Sequence, residues 1–223
     1  MTEAVIFDLD GTLVHSSPDI AYHLNHALGE VFGNVGTLSD HDVEMLIGGG
    51  MLDLIDKGVE AIGLQPSPDE AQKVLSIYLA AYLDNPVVKT TLYDGVDMML
   101  DALAQSNIAL GICTNKSEET AYRVLDHFGL TNRFGAIIGG DTTSARKPDP
   151  APLEEACRRL SVALQKAVMV GDSKADFGAA RNAGTAIAMV DWGYSSVDIH
   201  TLGSDAVIAS YDGFDQIARD LIS

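Results

Sequence analysis

The sequence predicts an α/β fold: a doubly wound parallel-sheet (Rossmann-like) core interrupted near its start by a helical insertion. Three observations predict it. Ala4-Val5-Ile6-Phe7 reads as a buried strand that runs straight into two carboxylates, Asp8 and Asp10. From Leu92 onward, short apolar runs alternate with helical periods. Between these parts the apolar spacing is helical throughout, with no convincing strand.

Taken in order, Pro18-Asp19 opens a helix in which Ile20, Leu24, Ala27, Leu28 and Val31 recur on one face until Gly33. Ser39 to Ile47 reads as a second helix, capped by Ser39 or Asp40 and ended by Gly48-Gly49-Gly50. Met51 to Ile62 continues helically, and Ser67-Pro68-Asp69-Glu70 supplies the cap and acidic first turn of a helix reaching Leu83. In the second part, helices are expected at Gly95 to Ala104, Glu118 to Phe128, Pro150 to Leu160, Ala175 to Ala183 and Phe214 to Ile222. Strands are expected at Ala109 to Cys113, Ala136 to Ile138, Val168 to Val170, Thr185 to Val190 and Ala206 to Ile208. The expected division is a core of residues 1–15 and 89–223 around a helical cap of 16–88.

Composition excludes several classes of function. With 32 Asp and Glu against 14 Lys and Arg, the formal charge of −18 repels a nucleic-acid backbone and an anionic membrane surface alike. No apolar run approaches the length of a membrane span and the start lacks a signal-peptide layout, so the expectation is a soluble, cytoplasmic protein, monomer or homodimer. Cys113 and Cys157 lack metal-ligand spacing and read as reduced thiols, and the six histidines show no metal pattern.

Ligands of such sheets collect beyond the carboxyl ends of the strands, where this chain is unusually polar. Alternate strand residues share a face, so Asp8 and Asp10 are expected to point toward one pocket. Acids this close repel, and one keeps its proton unless a cation joins them. The stretch therefore implies a metal, a proton donor, or both. Thr114-Asn115-Lys116 follows a second strand, Gly171-Asp172-Ser173-Lys174-Ala175-Asp176 a third, and Lys147-Pro148 stands ahead of a helix.

These four segments resemble, in order and spacing, the four motifs of the haloacid dehalogenase-like superfamily of phosphotransferases, in its phosphoglycolate phosphatase-like branch. The resemblance implies a Mg²⁺-dependent phosphomonoester hydrolase acting on a small phosphorylated metabolite through an aspartyl phosphate. It makes Asp8 the nucleophile and Asp10 the acid and base. Asp8, Asp172 and the main-chain carbonyl of Asp10 become the metal ligands. Thr114, Asn115 and Lys147 would hold the phosphate, with Ser173 and Asp176 behind them, Asp176 orienting Lys147 or a metal-bound water. Gly49 and Gly50 would turn backbone amides from the cap toward the substrate.

Tyr93-Asp94-Gly95 departs from the branch, whose members carry Pro before Gly. The cap holds only Lys57 and Lys73 as basic residues, leaving no evident partner there for a second anionic group. Within the superfamily the alternatives are a sugar phosphomutase of the β-phosphoglucomutase kind, a pyrophosphatase or a nucleotidase. Outside enzymes, the alternative is a phospho-accepting signalling or phosphate-binding module. Thr114-Asn115 could equally cap a helix, and Trp192-Gly193-Tyr194, after a strand, could line the site or an interface, with a surface loop as the preferred reading.

Overall fold

The computed structural model describes residues 3–222. Met1, Thr2 and Ser223, at the ends of the expected core, lie outside the described residues. The chain runs β1 (Ala4–Phe7), β2 (Val14–His15), α1 (Ser17–Phe32), α2 (Asp40–Glu44), α3 (Met51–Ala61), α4 (Pro68–Asp84), β3 (Thr91–Leu92), α5 (Val96–Gln105), β4 (Ala109–Cys113) and α6 (Glu118–His127). It continues through β5 (Ala136–Ile138), α7 (Ala151–Leu160), β6 (Ala167–Gly171), α8 (Lys174–Ala183), β7 (Ala186–Val190), β8 (Ala206–Ile208) and α9 (Phe214–Ile222).

Six strands form one parallel sheet in the order β5-β4-β1-β6-β7-β8. β1 lies inside it, with Phe7 opposite Ile112 on one side and Val170 on the other. Its residues must therefore be apolar on both faces, and they divide by parity. Val5 and Phe7 join the cluster built with α5, α6 and α9, while Ala4 and Ile6 join that of α7 and α8. Phe7 meets Tyr211 and Phe214 at ring separations of 6.5 and 6.3 Å. Burying one such side chain contributes about 1.5–3 kcal/mol.

Helices α1 to α4 bury their apolar stripes against one another, around Leu24, Leu28, Ile55, Val59, Val74 and Tyr82, in a third cluster separate from both sheet faces. Ser39 and Ser67 cap α2 and α4 with complete capping boxes, closed by Asp42 and Glu70. α2 stops at Glu44, three residues short of the expected end, because the chain turns tightly there, Leu46 and Ile47 both donating to the Val43 carbonyl. The antiparallel pair β2–β3, two residues per strand, was not expected: two residues carry no periodicity.

Below that pair, the fully buried Asp19 carboxylate accepts from the Val88, Lys89 and Thr90 amides and from the Thr90 hydroxyl, at 2.7–3.0 Å. Burial alone would raise its pKa, but these hydrogen bonds outweigh burial and hold it below the ordinary 3.8. A depressed carboxyl stabilises the fold above its unfolded pKa, and that stability is lost as pH falls through the folded value. Asp19→Asn is expected to cost about 2–3 kcal/mol in urea unfolding at pH 7. The cost should vanish progressively below about pH 4; an equal cost at every pH would refute the charged role.

Candidate active site

The carboxyl ends of β1, β4 and β6 open into a cleft roofed by α1, α3 and α4. Asp8 continues β1 by one further bond, its amide donating to the Val170 carbonyl at 2.8 Å. The chain then doubles back, the amides of Thr12, Leu13 and Val14 all directed at the Leu9 carbonyl. Gly11 makes that turn at φ +82°, and a Cβ there would stand 2.5 Å from an Asp172 carboxylate oxygen, so only glycine fits.

Because of this turn, Asp8 and Asp10 share the cleft but not a partner. The Asp8 carboxylate lies 3.0 Å from Lys147 Nζ and accepts the Leu9 amide at 2.7 Å. That of Asp10 lies 3.0 and 3.1 Å from Lys116 Nζ and accepts the Ser16 hydroxyl at 2.6 Å. Two acids expected to compete for one proton thus each have a lysine.

Lys147 is itself buried and bonds Asp176 at 2.6 Å. Burial would lower its pKa, but the charges of Asp176 and Asp8 outweigh burial and hold it above the ordinary range. The other Asp176 oxygen takes the Ser173 amide and hydroxyl at 3.0 and 2.6 Å, closing the capping box of α8. Ser173, not Asp172, is thus the cap, and Asp172 is left for the cleft. Thr12 donates to one Asp172 oxygen at 3.0 Å and the Tyr194 amide to the other at 2.7 Å.

Oxygens of Asp8, Asp172 and Asp176 lie within 4.8 Å of one another. Burial first, then the Asp176 charge, pushes Asp8 up to about 6, against the opposing pull of Lys147. Burial first, then the charges of Asp176 and Asp8, push Asp172 well up too. Crowded acids with raised affinity for a positive charge, all offering hard oxygens, suit a divalent cation. Asp10 keeps its side chain out of this cluster.

Thr114 is buried in the cleft wall with Asp8, while Asn115 donates to the carbonyls of Gly48 and Lys147 at 2.8 and 3.0 Å. Neither caps α6; Ser117 does, accepting the Thr120 amide. Of the three glycines, Gly48 and Gly50 line the cleft, while a Cβ on Gly49 would stand 2.1 Å from an Asp53 carboxylate oxygen. Gly49 is taken up by the start of α3.

Trp192-Gly193-Tyr194 is not a free surface loop. Tyr194 is buried, and its hydroxyl accepts from the Ser16 and Ser17 amides at 2.8 and 3.1 Å. A Cβ on Gly193 would stand 2.1 Å from that of Asp172, so glycine is what admits the loop to the site. Its position beyond the end of β7 was the available signal. Lys116 was overlooked as well, although it directly follows Thr114-Asn115.

Fold and site together define a phosphatase of the α/β class, its acids ranged along the carboxyl edge of a parallel sheet. The model of haloacid dehalogenase-like hydrolases matches residues 5–190, and the chain belongs to that family. It is 39% identical over 215 residues to a phosphoglycolate phosphatase of Rhodospirillum rubrum, covering 95% of this chain and 88% of that protein. A phosphoglycolate phosphatase of Cereibacter sphaeroides (strain ATCC 17029) is 36% identical over 221 residues, 98% of this chain and 99% of its own length. Among solved structures, a predicted phosphoglycolate phosphatase from Haemophilus somnus superposes with a TM-score of 0.90 at 29% identity, covering 97% of each chain. Among the described residues no helix is long and apolar enough to cross a membrane.

Proposed function

We propose that this chain is a Mg²⁺-dependent phosphomonoester hydrolase that cleaves phosphoglycolate by way of an aspartyl phosphate, residues 16–88 serving as a cap over the core. The observation that carries the reading is the separation of Asp8 and Asp10, each beside its own lysine. That separation suits two carboxylates with different tasks.

Asp8 attacks phosphorus in line, forming an Asp–O–P bond as the ester P–O bond breaks. Asp10 protonates the departing oxygen, then accepts the proton of the water that hydrolyses the aspartyl phosphate. The Thr114 hydroxyl and Lys147 ammonium steady the phosphate oxygens as charge moves among them. Asp176 fixes Lys147 from behind. Asp8, Asp172 and the Asp10 carbonyl would hold Mg²⁺, which when bound supplies the positive charge that lets a dianion enter an acidic site.

The names of the relatives favour hydrolysis over the mutase reading. The test is phosphate release from a panel of small esters, phosphoglycolate, sugar phosphates, nucleotides and pyrophosphate among them, with Mg²⁺ and with chelator. Release from phosphoglycolate is expected to exceed that from the others by at least about tenfold and to cease with chelator. Preference for another ester would reject the substrate, and release with chelator present would reject the metal.

A further inference from the structure

Lys116 is more than a counter-ion. Its side chain is only 6% exposed, and it lines the cleft with Ile20, Leu54, Tyr78 and Tyr82. Its ammonium stands 4.6 Å from the centre of the Tyr82 ring, a contact additional to its pairing with Asp10. An ammonium has three N–H donors, and the Asp10 carboxylate offers it two oxygens. Asp10 also has the Ser16 hydroxyl.

The helical roof contributes no cation to the cleft: Lys57 pairs with Asp53 at 2.6 Å on the surface, and Lys73 does not line it. Two polar atoms of cleft-lining residues are buried without a protein partner, the Tyr82 hydroxyl and the Asn115 side-chain oxygen. The Tyr82 hydroxyl, without a protein acceptor in a wall that also holds a buried cation, is left able to donate to a bound group.

We propose that the Lys116 ammonium, with the Tyr82 hydroxyl, receives a second anionic group of the substrate, a carboxylate on the carbon that bears the phosphoester oxygen. The assignment rests on the hydrolase reading, and geometry sets the position. Asp10 must reach the ester oxygen, and Lys116 lies 3.0 Å from Asp10, so the group it grips is close to that oxygen in the substrate. The apolar and aromatic walls limit the remainder to a short chain. A phosphate ester with an uncharged alkyl group would leave the ammonium and hydroxyl unanswered, and sites built for a polar group reject analogues that lack it.

The test compares phosphoglycolate with ethyl phosphate, which lacks the carboxylate, in the Mg²⁺-loaded full chain. The wild-type enzyme is expected to favour phosphoglycolate in kcat/KM by about 30-fold or more. Lys116→Met should erase most of that preference through KM, Lys116→Arg should restore part of it, and Tyr82→Phe should reduce it less than Lys116→Met does. Equal losses on both esters in Lys116→Met would reduce Lys116 to a positioning residue for Asp10 and overturn the proposal. Wild-type indifference between the two esters would also overturn it while leaving the hydrolase intact, and that measurement needs no variant to fold. Cleavage of neither ester would reject the hydrolase reading and the subsite with it.

Discussion

Asp8→Asn is expected to lower phosphate release from phosphoglycolate by about 10⁴-fold or more, because a carboxamide at that position offers no anionic oxygen to attack phosphorus. The fold should survive. Lys147 keeps its 2.6 Å bond to Asp176, and the Leu9 amide, now donating to Asp8, can use an amide oxygen equally well. Replacing one of three buried acids also removes like-charge repulsion from the cluster. Circular dichroism and the urea midpoint should therefore match the parent within about 1 kcal/mol, so that lost activity cannot be assigned to lost structure. A variant that kept even a tenth of the parental rate would remove Asp8 as nucleophile.

Asp10→Asn should reduce steady-state turnover of phosphoglycolate by about 10³-fold, within the range general acid–base catalysis contributes. The informative substrate is p-nitrophenyl phosphate, whose leaving group departs without being protonated. With it, the variant should release a burst of p-nitrophenol approaching one equivalent and then stall, since no base remains to activate the hydrolytic water. The stalled protein should carry acid-stable, hydroxylamine-labile phosphate. Undiminished steady turnover of both esters would exclude Asp10 from both half-reactions, and undiminished turnover of p-nitrophenyl phosphate beside slow turnover of phosphoglycolate would confine its role to the first. Some stability will be lost as well, because Lys116 forfeits its carboxylate partner in a buried setting.

The sheet and most helices could be read from the chain because their signals are local and long enough to repeat. β1 is an apolar run stopped by acids, and α4 carries its own capping box and spans four turns. The shortened α2 and the β2–β3 pair could not be read, because a tight turn and a two-residue ladder depend on what the chain meets in space. The acids at strand ends were legible for a related reason: topology alone brings them to one edge. Their division between two lysines was not. Asp8 and Asp10 are two positions apart on paper, but Asp8 still belongs to the strand while Asp10 lies in the turn after it, and they meet Lys147 and Lys116 respectively. The part Tyr194 plays could not be read, although its place after a strand could, because its contribution is made by a main-chain amide and by a hydroxyl that accepts, neither of which the residue type announces. For Gly49, three identical residues gave no hint that the middle one faces α3.

The Asp19 carboxylate has a mechanical consequence. The chain enters the helical roof just after β2 and leaves it just before β3; those strands pair with each other, and Asp19 at the head of α1 grips the returning segment at residues 88–90. Both tethers are pinned side by side, as a door is hung on one hinge. The two crossings between roof and core are thus one attachment rather than two separated ones. The Gly48 to Gly50 loop rests on Asn115 at the cleft, so the Asn115–Gly48 hydrogen bond ties the roof to the core at a point away from that shared attachment.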